Sequence, residues 1–354
     1  MFIGICGGIC AGKSTIAQYL INNHGFQQLH LRRTSPTPAV EKTAGEVTLP
    51  TFQQNQKDKS STPAIEFDDA DTLLAFVTPR WRENWVTTDI HDETVVDVFE
   101  RRPFFLLISV DAPITVRWQR FRQRCLAYDM APPDLGTFVV NNDAHVYSHA
   151  GGLALLRYRG HLHLLNNTNS LTSFYEALKS LDLTNESRVR PTWDQYFMAL
   201  SDLAAKRSNC MKRQVGCVLV REKRVISTGY NGTPRGMTNC GSGGCPRCNS
   251  GEHAGVGLDT CRCLHAEENA LLEAGRERIG VASTLYCNTC PCLTCSVKIC
   301  QVGISEVVYS MAYSVDTKVE SIFAEAGVHL RQFSPPRAGL IDLSAEFDTL
   351  AINN

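Results

Sequence analysis

The sequence predicts an α/β chain in two domains, a parallel-sheet domain followed by a three-layer α/β/α sandwich. Three observations carry this. The chain has 354 residues, enough for about two domains. Short apolar runs of strand length alternate with helical patterns, as in a sheet flanked by helices. A polar stretch at 182–190 (DLTNESRVR) breaks that alternation as a linker does. The expected organisation is a first domain at 1–183, a linker at 184–192, a second domain at 193–335 and a tail at 336–354 with no assigned role.

Residues 2–6 (FIGIC) read as a short buried strand. Gly7-Gly8-Ile9-Cys10-Ala11-Gly12-Lys13-Ser14 then fits G-x-x-x-x-G-K-S, and residues 14–23 read as a helix. Strand, glycine loop and helix in that order form the context in which such a loop cradles phosphates. Gly7 and Gly12 let backbone N–H groups approach the anion, Lys13 reaches it and Ser14 holds Mg²⁺. Residues 32–64 are rich in Thr, Pro, Ser, Lys and Gln, and are expected to be a mobile insertion. Residues 84–90 (NWVTTDI) read as a strand ending near Asp89, a candidate magnesium-side carboxylate. Residues 104–110 (FFLLISV) read as a buried strand running into Asp111. Arg117, Arg120, Arg122 and Arg124 follow on a helix, either as a phosphate clamp or as a solvated basic face. Residues 161–165 (HLHLL) read as the last strand, and a helix at 170–181 closes the domain.

In the second domain, 193–207 reads as a helix and 215–220 and 223–229 as strands. A helix at 265–274 (HAEENALLEA), closed by Gly275, leads to a strand at 283–287. The next helix is expected to start at Pro291, whose missing N–H suits a first helical position. A strand at 304–309, a helix near 316–326 and a strand at 328–333 complete the mixed sheet.

Net charge is −1 and pI is near 6.8, with only short basic clusters at Arg101-Arg102 and Arg117 to Arg124. That favours a free nucleotide over RNA or DNA as a partner. No apolar run is long enough to span a membrane. The N-terminus lacks a basic n-region and runs straight into the glycine loop, so it does not read as a secretory signal. Of the 15 cysteines, 12 fall between Cys210 and Cys300. An odd total with C-x-x-C spacings reads as metal ligands and free thiols in a reducing compartment, hence a cytoplasmic or also nuclear location.

The strongest chemical signal is His265-Ala266-Glu267 followed by Pro291-Cys292-Leu293-Thr294-Cys295. A catalytic zinc takes three protein ligands and keeps a position open for water. His265 offers a ring nitrogen, and Cys292 and Cys295 offer thiolates spaced to reach one metal. Helices beginning near 265 and 291 would turn their positive ends toward those thiolates. Glu267, two residues past His265, points elsewhere and is left to move protons. A structural zinc knuckle would need a fourth ligand and would give Glu267 no role.

The H-x-E and P-C-x-x-C pair is similar to the zinc deaminases that act on nucleobases. Arg213-Gln-Val-Gly216, Gly229-Tyr-Asn-Gly-Thr-Pro-Arg-Gly236, Cys263-Leu-His-Ala-Glu-Glu-Asn-Ala-Leu271 and Thr289 to Cys295 narrow this. They make the second domain resemble the deoxycytidylate (dCMP) deaminases, particularly the fungal form with an N-terminal P-loop extension. The first domain resembles the P-loop nucleotide and dephospho-coenzyme A kinases. The resemblance implies a cytidine-deaminase-like sandwich behind a P-loop NTPase-like domain. It implies hydrolysis of dCMP to dUMP and ammonia, feeding thymidylate synthesis. It also implies a homo-oligomer, often a hexamer, activated by dCTP with Mg²⁺ and inhibited by dTTP. The regulatory nucleotide role falls on Gly229, Tyr230, Asn231 and Gly232. From the residues alone, this block also reads as an Asn-Gly turn between strands.

Cys245-Pro-Arg-Cys248 is a second C-x-x-C, and the resemblance implies a structural zinc near it. Four of Cys210, Cys240, Cys245, Cys248, Cys261 and Cys263 are expected to hold that zinc. Cys217, Cys287, Cys290 and Cys300 read as core or spare thiols. Two other readings stand beside the main one. The chain could be a bifunctional enzyme with an active N-terminal kinase, or another cytidine or nucleic-acid deaminase.

Overall fold

The computed structural model describes residues 1–32, 49–50, 65–148, 152–168, 170–251, 253, 256–312, 317–336 and 339–343. Apart from Arg32 and residues 49–50, the expected insertion at 32–64 lies outside the described residues. The chain divides into two compact units, one of Met1–Arg190 with the segment after Arg337, the other of Pro191–Pro336.

The first unit runs β1 (Phe2–Gly7), α1 (Lys13–His24), β2 (Gln27–Leu31), β3 (Ile65–Phe67), α2 (Ala70–Val77), β4 (Trp85–Thr87), α3 (Glu93–Phe99), β5 (Phe105–Asp111), α4 (Ile114–Ala127), α5 (Leu135–Tyr147), α6 (Leu153–Arg159), β6 (Leu162–Leu165) and α7 (Leu171–Leu181). β1 and β5 read as near-continuous apolar runs because both faces of a parallel sheet are covered. Ile3 and Ile5 face the core shared with α1 and α7, while Phe2 and Cys6 face the one shared with α2, α3 and α6. Every strand pair in the sheet is parallel.

One strand was not anticipated. Leu340–Asp342, called β12 below in chain order, pairs with β6, Ile341 opposite Leu164. Residues 161–165 are therefore not the last strand of this sheet, and part of the expected tail belongs to it. The sheet order is β12-β6-β5-β1-β4-β2-β3. The chain thus leaves β1 in the middle of the sheet, with strands added on either side.

The second unit holds α8 (Trp193–Ala205), β7 (Gly216–Arg221), β8 (Arg224–Tyr230), the short α9 (Pro246–Asn249), α10 (Ala266–Ala274), the short α11 (Arg276–Ile279), β9 (Ser283–Thr289), α12 (Leu293–Val302), β10 (Glu306–Met311), α13 (Thr317–Glu325) and β11 (His329–Gln332). α8 starts where it does because Thr192 and Gln195 form a reciprocal capping box. The sheet order is β11-β10-β9-β7-β8. β7 pairs antiparallel with both β8 and β9, whereas β9, β10 and β11 run parallel. Alternate residues of each strand feed opposite faces. Val218, Val220, Tyr286 and Val308 pack with Phe197 and Met198 of α8. Cys217, Leu219, Leu285 and Val307 pack with α10, α12 and α13. That makes three layers.

Two local expectations need correction. Cys292, with φ −76° and ψ 167°, is the extended cap of α12, so Pro291 precedes the helix and is not its first residue. The turn joining β7 and β8 is Glu222-Lys223, both at positive φ (50° and 60°), the pair a two-residue hairpin needs. Asn231-Gly232 therefore makes no hairpin turn and lies beyond the end of β8. No described helix is long and apolar enough to cross a membrane.

Candidate active site

His265 and Cys292 each stand at the cap of a helix, α10 and α12, and neither side chain caps its own helix. Their polar atoms are thus left for another partner. Cys295 lies in the first turn of α12. His265 Nδ1 is 3.4 Å from the Sγ of Cys292 and 3.4 Å from that of Cys295. A nitrogen and a sulfur on one tetrahedral zinc lie about 3.5 Å apart, given bonds of roughly 2.0 and 2.3 Å. The three donors therefore fit one zinc in both chemistry and spacing. His265 and Cys292 are exposed and Cys295 is buried, so the trio opens outward on one side.

The thiol pair is polarised. Hydrogen bonding from Cys295, and then from His265, holds Cys292 down to about 3, while Cys295 is raised by its bond to Cys292. His265 is raised above its ordinary value, first by its bond to Cys292.

Glu267 is 3% exposed in the first turn of α10. Burial pushes its carboxyl up to about 7. Its neighbour Glu268 pairs with Lys298, which joins α10 to α12 beside the three donors. Nothing in the sequence singled out this ion pair, since its partners are 30 residues apart.

α10 is set against β8 by the absence of a side chain. A Cβ on Gly229 would lie 2.0 Å from Ala266 O and 2.6 Å from Ala270 N. Ser227 Oγ donates to Ala270 O at 2.8 Å, and Asn269 Nδ2 to Tyr230 O at 2.9 Å. Asn231 accepts from Val215 N through Oδ1 and donates to Arg213 O through Nδ2. Gly232 forms an isolated antiparallel bridge with Leu264, the residue before His265. The segment Gly229 to Gly232 is therefore part of the wall that positions α10.

The six remaining candidate thiols all converge. Cys210, Cys240, Cys248 and Cys263 form one set of four, and Cys245, Cys248, Cys261 and Cys263 another, with all sulfurs of a set within 4.8 Å of one another. Asn209, which the sequence reading passed over, organises the entry to this cluster. Its Oδ1 accepts from Thr233 N at 3.2 Å and from Cys240 N at 3.4 Å.

In the first unit, Gly7 and Gly12 take positive φ (154° and 119°). A Cβ on Gly7 would stand 2.1 Å from Val110 O. Lys13 Nζ donates to Gly7 O at 2.8 Å and Gly8 O at 3.0 Å, so the ammonium folds over the loop. Ser14 is exposed at the start of α1. Arg117 is no solvated face: it is buried and donates to Ala112 O and Asn142 Oδ1. Arg120 donates to Asn166 O and Thr168 O, supporting the segment next to the loop. Asp89 accepts from Leu31 N at 3.2 Å and lies 3.1 Å from His30 Nδ1.

Comparison with known proteins gives a consistent family. Residues 191–311 match the family described as the cytidine and deoxycytidylate deaminase zinc-binding region. The chain is 46% identical over 334 residues to deoxycytidylate deaminase of Schizosaccharomyces pombe, covering 94% of this chain and 98% of that one. It is 46% identical over 278 residues to deoxycytidylate deaminase of Saccharomyces cerevisiae, covering 75% and 86%. Among solved structures, dCMP deaminase of cyanophage S-TIM5 in complex with dCMP and dUMP is 31% identical, covering 41% of this chain and 98% of that one, with a TM-score of 0.33.

Proposed function

This chain belongs to the deoxycytidylate deaminase family and deaminates dCMP; from that premise we propose that His265, Cys292 and Cys295 hold a catalytic zinc and that Glu267 moves the protons of the reaction. The observation that carries this reading is that His265 Nδ1, at the cap of α10, lies 3.4 Å from each of the two Sγ atoms at the start of α12, with an unligated buried carboxylate two residues on. Water adds at the amino-bearing ring carbon, ammonia leaves, and dUMP remains. Zinc held there supplies a water acidic enough to attack near neutral pH. Glu267 takes a proton from the attacking water and delivers it to the ring nitrogen. It then takes the remaining proton from the added hydroxyl and delivers it to the departing amino group, so that ammonia leaves as the ring carbonyl forms. Its burial keeps bulk water from competing for those protons. The Glu268–Lys298 pair holds the two helix ends in register while this happens.

The test is ammonia release from dCMP, CMP, cytidine and a cytosine oligonucleotide by the parent and by Glu267→Gln. Turnover confined to dCMP is expected, with kcat reduced about 10²–10⁴-fold in the variant and zinc content unchanged. Equal turnover by parent and variant would remove Glu267 from the mechanism.

Regulation by dCTP·Mg²⁺ and dTTP at Gly229, Tyr230, Asn231 and Gly232 is part of the same proposal. Supporting it, Asn269 of α10 bonds Tyr230 O, so a ligand that moves this segment also moves the helix bearing Glu267. A homo-oligomer, the hexamer of the resemblance, is supported by the exposure of Leu272 on α10 and Val297 on α12. A P-loop NTPase-like first domain at 1–183, extended by the strand Leu340–Asp342, and a second domain at 193–335 complete the reading. Support comes from β1 standing between β4 and β5, where sheet order diverges, with Gly7 to Ser14 at its carboxyl end. Ligands of open α/β sheets bind at such a point. If this loop also transfers phosphate, ATP turnover would be abolished by Lys13→Ala and kept in Glu267→Ala.

A further inference from the structure

We propose that Cys210, Cys240, Cys245, Cys248, Cys261 and Cys263 bind two zinc ions as one bridged cluster, with Cys248 and Cys263 shared between them. This site is separate from the catalytic one and takes the place of the single four-thiol zinc that the sequence suggests.

Two thiolates on one tetrahedral zinc lie about 3.8 Å apart when each bond is about 2.3 Å. Cys210 and Cys248 are 3.8 Å apart, Cys245 and Cys261 3.9 Å, Cys248 and Cys261 3.9 Å, and Cys248 and Cys263 4.0 Å. A disulfide would bring its sulfurs to about 2.0 Å, and all six cysteines are free.

The sharing follows from the two sets. Both contain Cys248 and Cys263. One set adds Cys210 and Cys240, the other Cys245 and Cys261. A single zinc in either set would strand two more sulfurs at ligand spacing beside it. Two zinc ions with a shared pair use every one.

The surroundings suit thiolates. The N–H of Met211 donates to Cys240 Sγ at 3.4 Å, and that of Arg262 to Cys245 Sγ at 3.3 Å. Such bonds orient and tune metal ligands. Two zinc ions and six thiolates leave two negative charges, and Arg247 lies buried within the Cys245–Cys248 turn. Cys240, Cys245 and Cys248 form the buried cluster under this loop-rich segment, and Cys210, Cys261 and Cys263 pack against it partly buried. A small substructure without an apolar core of its own needs such a staple.

The cluster also sets the active site. Cys263 is two residues before His265, and Leu264 between them is bridged to Gly232. Metal binding displaces the six thiol protons, fixes Cys263 and thereby the approach of His265 to Cys292 and Cys295.

The experiment counts zinc in the full chain and in Cys292→Ser, each freed of loosely held metal under reducing conditions, with zinc-edge X-ray absorption on the variant. We expect three zinc ions per parent chain and two in the variant. The variant should show a sulfur shell and zinc–zinc scattering inside about 4.6 Å, the limit for two ions each about 2.3 Å from one sulfur. One zinc in the variant without zinc–zinc scattering, or none, would overturn the bridged cluster. Two zinc ions in both proteins, with the scattering present, would keep the cluster and instead sink the proposed catalytic zinc.

Discussion

Leu264 and Gly232 exchange two backbone hydrogen bonds, Leu264 N to Gly232 O at 2.9 Å and Gly232 N to Leu264 O at 3.2 Å. This bridge fastens the residue before His265 to the segment leaving β8. A Cβ on Gly232 would lie 2.6 Å from Asn209 Oδ1, the atom that accepts from Thr233 and Cys240. Gly232→Ala should therefore displace Asn209 and loosen the bridge, at a cost of about 1–3 kcal/mol. A lower denaturation midpoint and a slower dCMP turnover are expected. An unchanged midpoint would mean that Asn209 rotates away freely and organises nothing.

Gly229 has a harder constraint, since the atoms that a Cβ would meet, Ala266 O and Ala270 N, belong to the backbone of α10. They cannot rotate aside. Gly229→Ala must push the helix off the sheet and carry Glu267 with it. We expect about 3 kcal/mol or more of lost stability, together with a fall in kcat at saturating dCMP. Recovery of full kcat in a folded Gly229→Ala protein would show that α10 can shift without moving the chemistry. A purely regulatory role for this glycine predicts the opposite pattern, with loss of the dCTP response and no loss of stability.

The parts of this protein that could be read from sequence are those specified locally. β1 and β5 could be read because strands buried on both faces are continuously apolar. Cys292 and Cys295 could be paired because C-x-x-C spacing at a helix start turns both sulfurs one way, whereas His265, 27 residues before Cys292, could be joined to them only through the H-x-E and P-C-x-x-C pattern. What could not be read depends on distant segments meeting. β12 has only Ile341 buried, so its three residues carry no periodic signal. Cys210 lies 38 residues from Cys248, and spacing alone cannot tell four ligands from six. Arg117 reads equally as a phosphate clamp or a solvated face until α5 brings Asn142 to it.

The glycine loop of the first unit makes a separate prediction. Lys13 donates to the carbonyls of Gly7 and Gly8, and Gly7 accepts no Cβ against Val110 O. A phosphate would draw the ammonium off these carbonyls and onto itself. Equilibrium binding of ATP·Mg²⁺ to the parent is therefore expected, with at least a tenfold loss in Lys13→Ala, the equivalent of about 1.4 kcal/mol. Equal affinity in parent and variant, or none in either, would reduce the loop to architecture.

Asp194 and Arg331 join the start of α8 to β11 through two hydrogen bonds of 2.8 and 3.1 Å. Tyr286 donates to the same carboxylate at 2.8 Å. Arg331 first, with help from Tyr286, holds Asp194 below its ordinary value of 3.8. A carboxylate whose native pKa is lowered stabilises the fold above its unfolded value, and the contribution fades as pH falls through the native one. Asp194→Asn should thus cost about 1–3 kcal/mol at neutral pH. The gap between parent and variant should stay level down to about pH 4 and close below it. Thiolate protonation at low pH affects both proteins alike, so the difference between their urea midpoints isolates this carboxylate. A gap that persisted undiminished at pH 3 would assign the loss to packing and not to the charge of Asp194.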